Sequence, residues 1–183
     1  MLNKLILFFI ISINLFCYPI KNIQNDINNL FTLVEKEQQI VIDEQLYTID
    51  IKRLLWLTSG MESNFGRDKY TGRVAKTYMQ LEPDSAEHYL KIVPQFRLYL
   101  TSKLNRDINV QRNSDAIYVT YLFYMSKIQY HFNWINKYKY IFYETKDLEW
   151  FIYKLYFNSI KGQSTFKKWK YRENILVKEG WYL

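Results

Sequence analysis

MESNFGRDKYTGRVAKTYMQLEPDSA, residues 61–86, is the stretch on which the reading of this chain turns. Ahead of it, Ile51, Leu54, Leu55 and Thr58 recur at helical spacing and form one buried side. Thr48 or Asp50 supplies the side-chain oxygen that caps the start of such a helix. The helix is expected to end near Glu62, with Gly66 soon after it. Residues 66–78 are polar, contain Gly72, and read as a loop with room for short extended pairs. Pro83 fits the first turn of the next helix, with Asp84 and Glu87 near its positive end. Glu62 therefore stands at the end of an apolar helix, near Trp56, Met61 and Phe65 in sequence. Apolar surroundings and a helix C-terminus both disfavour an ionised carboxylate, and a general acid working near neutral pH needs that bias.

Ten residues of the stretch form an ordered pattern: Glu62, Ser63, Phe65, Thr71, Ala75, Met79, Gln80, Pro83, Ser85 and Ala86. The pattern resembles that of the lytic transglycosylases (the SLT domain) and the goose-type lysozymes, which cleave the glycan strands of bacterial peptidoglycan. The resemblance implies a lysozyme-like helical domain in which Glu62 acts first as acid and then as base. The substrate's N-acetyl group assists, and the sugar's own 6-hydroxyl closes a 1,6-anhydro ring. It also implies a sugar groove lined from Ser63, Thr71, Tyr78, Met79 and Gln80, with the Thr71 hydroxyl near the reacting N-acetylmuramic acid. Tyr78 stands where the family has Leu, and Thr77 where it has Gly. Goose-type lysozymes deliver water with the help of further acids. Asp68 is the nearest such candidate, its other reading being a solvated loop charge.

A second segment, YFNSIKG at 156–162, is similar to the family's Ala-Tyr-Asn-Ala-Gly-x-Gly, with Asn158 and Gly162 in place. The family tyrosine, which orients the acid and the substrate, falls on Phe157. Phenylalanine has no hydroxyl, so that role is lost or passes to Tyr156, which on a helix points about 100° away. Tyr156, Phe157 and Asn158 complete the expected substrate-binding set. Two rivals to the transglycosylase stay open, a muramidase that hydrolyses the same bond and a catalytically silent wall-binding scaffold.

The rest of the chain reads as one mainly helical unit. Ile23, Ile27, Leu30, Phe31 and Val34 share a helical stripe, and residues 39–50 read as a connection. Pro94 separates a helix over 96–104, and Ser114 or Asp115 starts the apolar run 116–130. Thr145 or Asp147 caps a helix over 148–158, and Ser164 caps a last one toward Val177. With three prolines, five glycines and no repeated strand–turn units, the fold class is all-α. Most of Tyr121, Phe123, Tyr124 and Trp134 are assigned to the core by their helical spacing.

Lys4 and the apolar run 5–16 form an export leader over residues 1–17, cleaved as a signal peptide or retained as an anchor, with a single domain over 18–183. The expected place of work is the periplasm or cell envelope, the expected partner is peptidoglycan, and residues 1–17 are the expected route to a membrane. A secretion-system or envelope-machinery partner is compatible with such an enzyme. The charge of +7 suits anionic surfaces, yet the basic residues are scattered, so nucleic acid is not expected. Cys17 is the sole cysteine, and neither His88 nor His131 has a partner at ligand spacing. No metal and no cofactor are expected.

Overall fold

The computed structural model describes residues 20–68, 77–130, 133–157, 160–162 and 164–181. The chain enters on α1 (Ile20–Leu30), which buries Ile23, Ile27 and Leu30, while Phe31 and Val34 follow it half-buried in a turn. The expected connection over 39–50 is an antiparallel hairpin of β1 (Glu37–Ile42) and β2 (Gln45–Asp50), with Ile42 opposite Gln45. Its two turn residues, Asp43 and Glu44, take φ of 48° and 64°, the left-handed backbone that a two-residue hairpin turn needs. Asp43 is anchored there by the Lys139 ammonium and by the Tyr143 hydroxyl at 2.9 Å. Ile40, Ile42 and Ile49 face the core.

Asp50 accepts the Arg53 N–H at 2.8 Å and starts α2 (Ile51–Ser63). Ten of its residues are buried, including Trp56, Thr58 and Gly60, so the helix is enclosed on nearly every side. Proline occupies the first turn of both α3 (Pro83–Ile92) and α4 (Pro94–Leu104). A 3₁₀ turn at Asn113–Asp115 leads into α5 (Ala116–Tyr130), which buries twelve residues and is a second core helix. The short helices α6 (Asn133–Tyr138), α7 (Tyr140–Thr145) and α8 (Leu148–Ile152) follow. Asp147 caps α8 by accepting the Trp150 N–H at 3.0 Å. The helix then widens into a π-turn, Tyr153–Phe157, a local geometry often found at functional sites. The last helix, α9 (Phe166–Lys178), is capped by Thr165, not by Ser164 as the sequence suggested.

The described residues are thus mainly helical with one two-stranded sheet, an all-α fold. α9 and α5 both pack on α2, and α3 covers α5. Thr58 Oγ1 and the Tyr124 hydroxyl lie 2.8 Å apart across the α2–α5 contact. Arg53 closes the other side, binding Asp147 of the α8 cap, Glu149 of α8 and Glu173 of α9. Burial alone would lower the Arg53 guanidinium, but its hydrogen bond to Asp147 and the attraction of the three carboxylates outweigh that and push it above its usual value, so it stays charged. Trp134, one of the four aromatics mostly assigned to the core, is 51% exposed, because α6 is a single short helix at the surface. No helix among the described residues is long and apolar enough to cross a membrane. The expected leader, residues 1–17, lies outside the described residues.

Candidate active site

The end of α2 is built by three successive left-handed residues, Asn64, Phe65 and Gly66, with φ of 51°, 58° and 74°. They turn the chain sharply enough for the Phe65 N–H to reach back to the Ser59 carbonyl at 3.1 Å. The Phe65 ring folds under the helix against Gly60, between Trp56 and Trp181 at centroid separations of 6.3 and 6.0 Å. Ser63 Oγ accepts the Gly66 N–H at 2.8 Å and donates to the Ser59 carbonyl at 3.2 Å. Ser63 and Phe65 therefore stabilise the turn that presents Glu62. Ser63 is fully buried and does not line a groove, which corrects its expected contact with substrate.

Glu62 opens onto a cleft of about 350 Å³. Gln80, Leu81 and Glu82 form one stretch of its wall, with Ser85 and Tyr89 of α3 beyond them. Phe123 and Lys127 of α5, with Tyr156 and Phe157 of the π-turn, complete it. The Gln80 side-chain amide donates to the main-chain carbonyl of Glu62, satisfying an acceptor that a helix end leaves open. Gln80 thus lies on the cleft wall and also braces the backbone that carries Glu62.

The Glu62 carboxyl is held above the ordinary carboxylate range by burial, which outweighs a hydrogen bond from Tyr153 and the charge of Lys168. Tyr153, fully buried, donates its hydroxyl to Glu62 Oε1 at 2.7 Å. That hydroxyl has one proton, so the Ser164 hydroxyl, 3.2 Å away, donates to the Tyr153 oxygen. Burial raises the Tyr153 phenol well beyond its usual value and keeps it a neutral donor. Its ring is fixed by Trp150 at 5.8 Å, Trp169 at 5.2 Å and a stacked Phe157 at 6.0 Å.

Phe157 has no hydroxyl, and Glu62 takes its hydrogen bond from Tyr153, one turn earlier on the same element. Tyr156 lines the cleft but is not the residue that donates to Glu62. Tyr78 and Met79 are fully buried in the core and do not line the cleft, correcting two further groove assignments. The Tyr78 N–H donates to Asn113 Oδ1 at 3.1 Å, which fastens the strand of chain leading to Gln80. Thr71 and Asn158 lie outside the described residues. Asp68 is exposed and accepts from Asn64 Nδ2 at 3.2 Å, and it does not line the cleft. Glu82, Tyr89 and Lys127 line the cleft without having been singled out from the sequence.

No protein-family model matches the chain, nor does any curated protein or any solved structure. Among the described residues no cluster of His, Cys, Asp or Glu is arranged to hold a metal ion.

Proposed function

We propose that this protein cleaves peptidoglycan glycan strands at the N-acetylmuramic acid–N-acetylglucosamine bond as a lytic transglycosylase of the cell envelope. The observation that carries the reading is the Glu62 carboxyl, desolvated at the mouth of a cleft and positioned by the Tyr153 hydroxyl. A carboxyl biased toward its neutral form donates its proton to the glycosidic oxygen as the C–O bond breaks. The carboxylate left behind then accepts the proton of the muramyl 6-hydroxyl as that oxygen bonds to the anomeric carbon. The proton count closes, Glu62 is regenerated, and no water is consumed. Aromatic rings of Tyr89, Phe123, Tyr156 and Phe157 offer apolar surface for sugar faces.

One observation favours a hydrolytic outcome instead: Glu82 is a second carboxylate on the same cleft, and paired carboxylates are the usual equipment of a glycoside hydrolase. Mass spectrometry of fragments released from purified sacculi separates the two. Transglycosylation gives 1,6-anhydromuramyl ends, and Glu82→Gln leaves them in place. Reducing muramyl ends that vanish in Glu82→Gln establish hydrolysis. Binding to sacculi without any release of fragments by the wild-type chain refutes both and leaves a wall-binding scaffold.

A further inference from the structure

Among the described residues, three lysines border the segments that meet at Glu62, and two of them are committed to the fold. Lys154 donates to the carbonyls of Gly162 and Ser164 at 2.7 and 3.2 Å, and Lys168 donates to the Met61 carbonyl at 3.3 Å. Lys127 differs from both. It lies on the cleft wall, half-buried, with its ammonium 3.9 Å from the centroid of Tyr89 and 5.4 Å from that of Phe123. It donates to the Tyr89 hydroxyl and makes no ion pair with a carboxylate among the described residues. An ammonium carries three N–H donors, so two remain to serve whatever occupies the cleft. The two rings fix its position by cation–π attraction and take over part of its hydration, which prepares it for an anionic partner. A neutral sugar groove has no need of a fixed positive charge.

We infer that Lys127 is a specificity-determining residue that pairs with a carboxylate carried on the 3-O side chain of a muramyl residue. The inference rests on the proposed glycan-cleaving function for the identity of the occupant. It adds that the cleft distinguishes acidic, wall-type glycan from neutral N-acetylglucosamine polymer by charge. The carboxylate has two sources in such strands: the lactyl group of a muramyl residue that carries no peptide, and the peptide itself where one is joined to the lactyl group as an amide.

Co-sedimentation of the full chain with sacculi, beside sacculi whose carboxylates have been converted to neutral amides, tests this directly. Amidation is expected to weaken wild-type binding about 10-fold, equivalent to ~1.4 kcal/mol. Lys127→Met is expected to bind unmodified sacculi about 10-fold more weakly and to lose its response to amidation, with Lys127→Arg restoring both. Lys178→Met removes the same charge from an exposed site on α9 and is expected to bind like wild type. Strands stripped of peptide by an amidase separate the sources: a response kept there assigns the contact to the lactyl carboxylate, and one confined to intact strands assigns it to the peptide.

A Lys127→Met chain that keeps wild-type affinity, or that stays as sensitive to amidation as wild type, overturns the inference. Wild-type binding that ignores amidation does so as well, even where Met does not fold at this position. Fragment release, read in the same tubes, reports on the enzymatic reading separately. Release that is indifferent to amidation and to Lys127→Met removes the inference and leaves the activity standing. Charge-sensitive binding without release keeps the inference and removes the activity.

Discussion

The Tyr153 hydroxyl donates to Glu62 Oε1 at 2.7 Å, from a ring stacked on Phe157 one turn further along the same element. The pair joins the end of α2 to the π-turn after α8, so the position of the acid depends on a contact between segments remote in sequence. The hydrogen bond favours the ionised acid while burial disfavours it more strongly. The acid is thus held above its ordinary value, yet below the value that burial alone would give.

Tyr153→Phe removes the larger of the two contributions that oppose burial, leaving that of Lys168. The Glu62 carboxyl is then expected to titrate at still higher pH, and the falling alkaline limb of glycan cleavage moves up with it. The maximal rate is expected to drop about 10–100-fold, because the carboxyl is no longer fixed in direction. A pH–rate profile of fragment release checks both, and an alkaline limb that stays in place contradicts the assignment of Tyr153.

Glu62→Gln separates catalysis from stability. A carboxyl whose folded value is raised contributes stability below its ordinary 4.5 and loses it as pH climbs through the folded value. Gln keeps the oxygen that accepts from Tyr153 and carries no charge at any pH. Its melting temperature is expected to match wild type near about pH 4 and to exceed it by roughly 2–4 °C near about pH 8, the size that ~1 kcal/mol produces in a chain of this length. Thermal melts across that range check the sign.

Arg53→Leu leaves Glu149 buried without its cation and Asp147 with only the Lys170 cation, 3.7 Å away. The expected cost at neutral pH is about 3–5 kcal/mol in urea denaturation. Asp147 is pulled below its usual range by hydrogen bonding and attraction to Arg53, which exceed the effect of burial. Its contribution is therefore present above the ordinary carboxylate range and lost as pH falls through the lower folded value. The penalty of Arg53→Leu is expected to shrink at acid pH, and a penalty independent of pH argues against the network.

Gly60→Ala places a methyl 2.6 Å from Phe65 Cε1 and Cζ, and that ring is confined between Trp56 and Trp181. The overpacking is expected to cost about 1–3 kcal/mol. Phe65→Leu in the same chain is expected to recover part of it, since a smaller side chain frees the space. A double-mutant cycle with no coupling between the two positions contradicts this account of the turn.

Much of the frame was legible because single residues announce it. Pro83 and Asp147 mark helix starts, Pro94 separates two helices although the second begins at Pro94 itself and not at Phe96, and the apolar run 116–130 gives α5 its full extent. The hairpin was missed because Asp43-Glu44 is not a glycine-bearing turn and is stabilised from outside by Lys139 and Tyr143. At the site, the sequence singled out Glu62, Gln80, Tyr156 and Phe157, all of which line one cleft. Ser63, Tyr78 and Met79 were misplaced because a motif records which residues recur, not which way they point. Tyr153 and Lys127 were out of reach for another reason: their importance arises from contacts between α2, α3, α5 and the π-turn that no local pattern encodes.

The central claim is that Glu62 moves the proton. Purified wild-type and Glu62→Gln chains, matched for melting behaviour and incubated with isolated sacculi, are compared by the fragments they release. The account predicts 1,6-anhydro fragments from wild type and a loss of at least about 100-fold in Glu62→Gln, the usual weight of a general acid. Release from Glu62→Gln at the wild-type rate would contradict it.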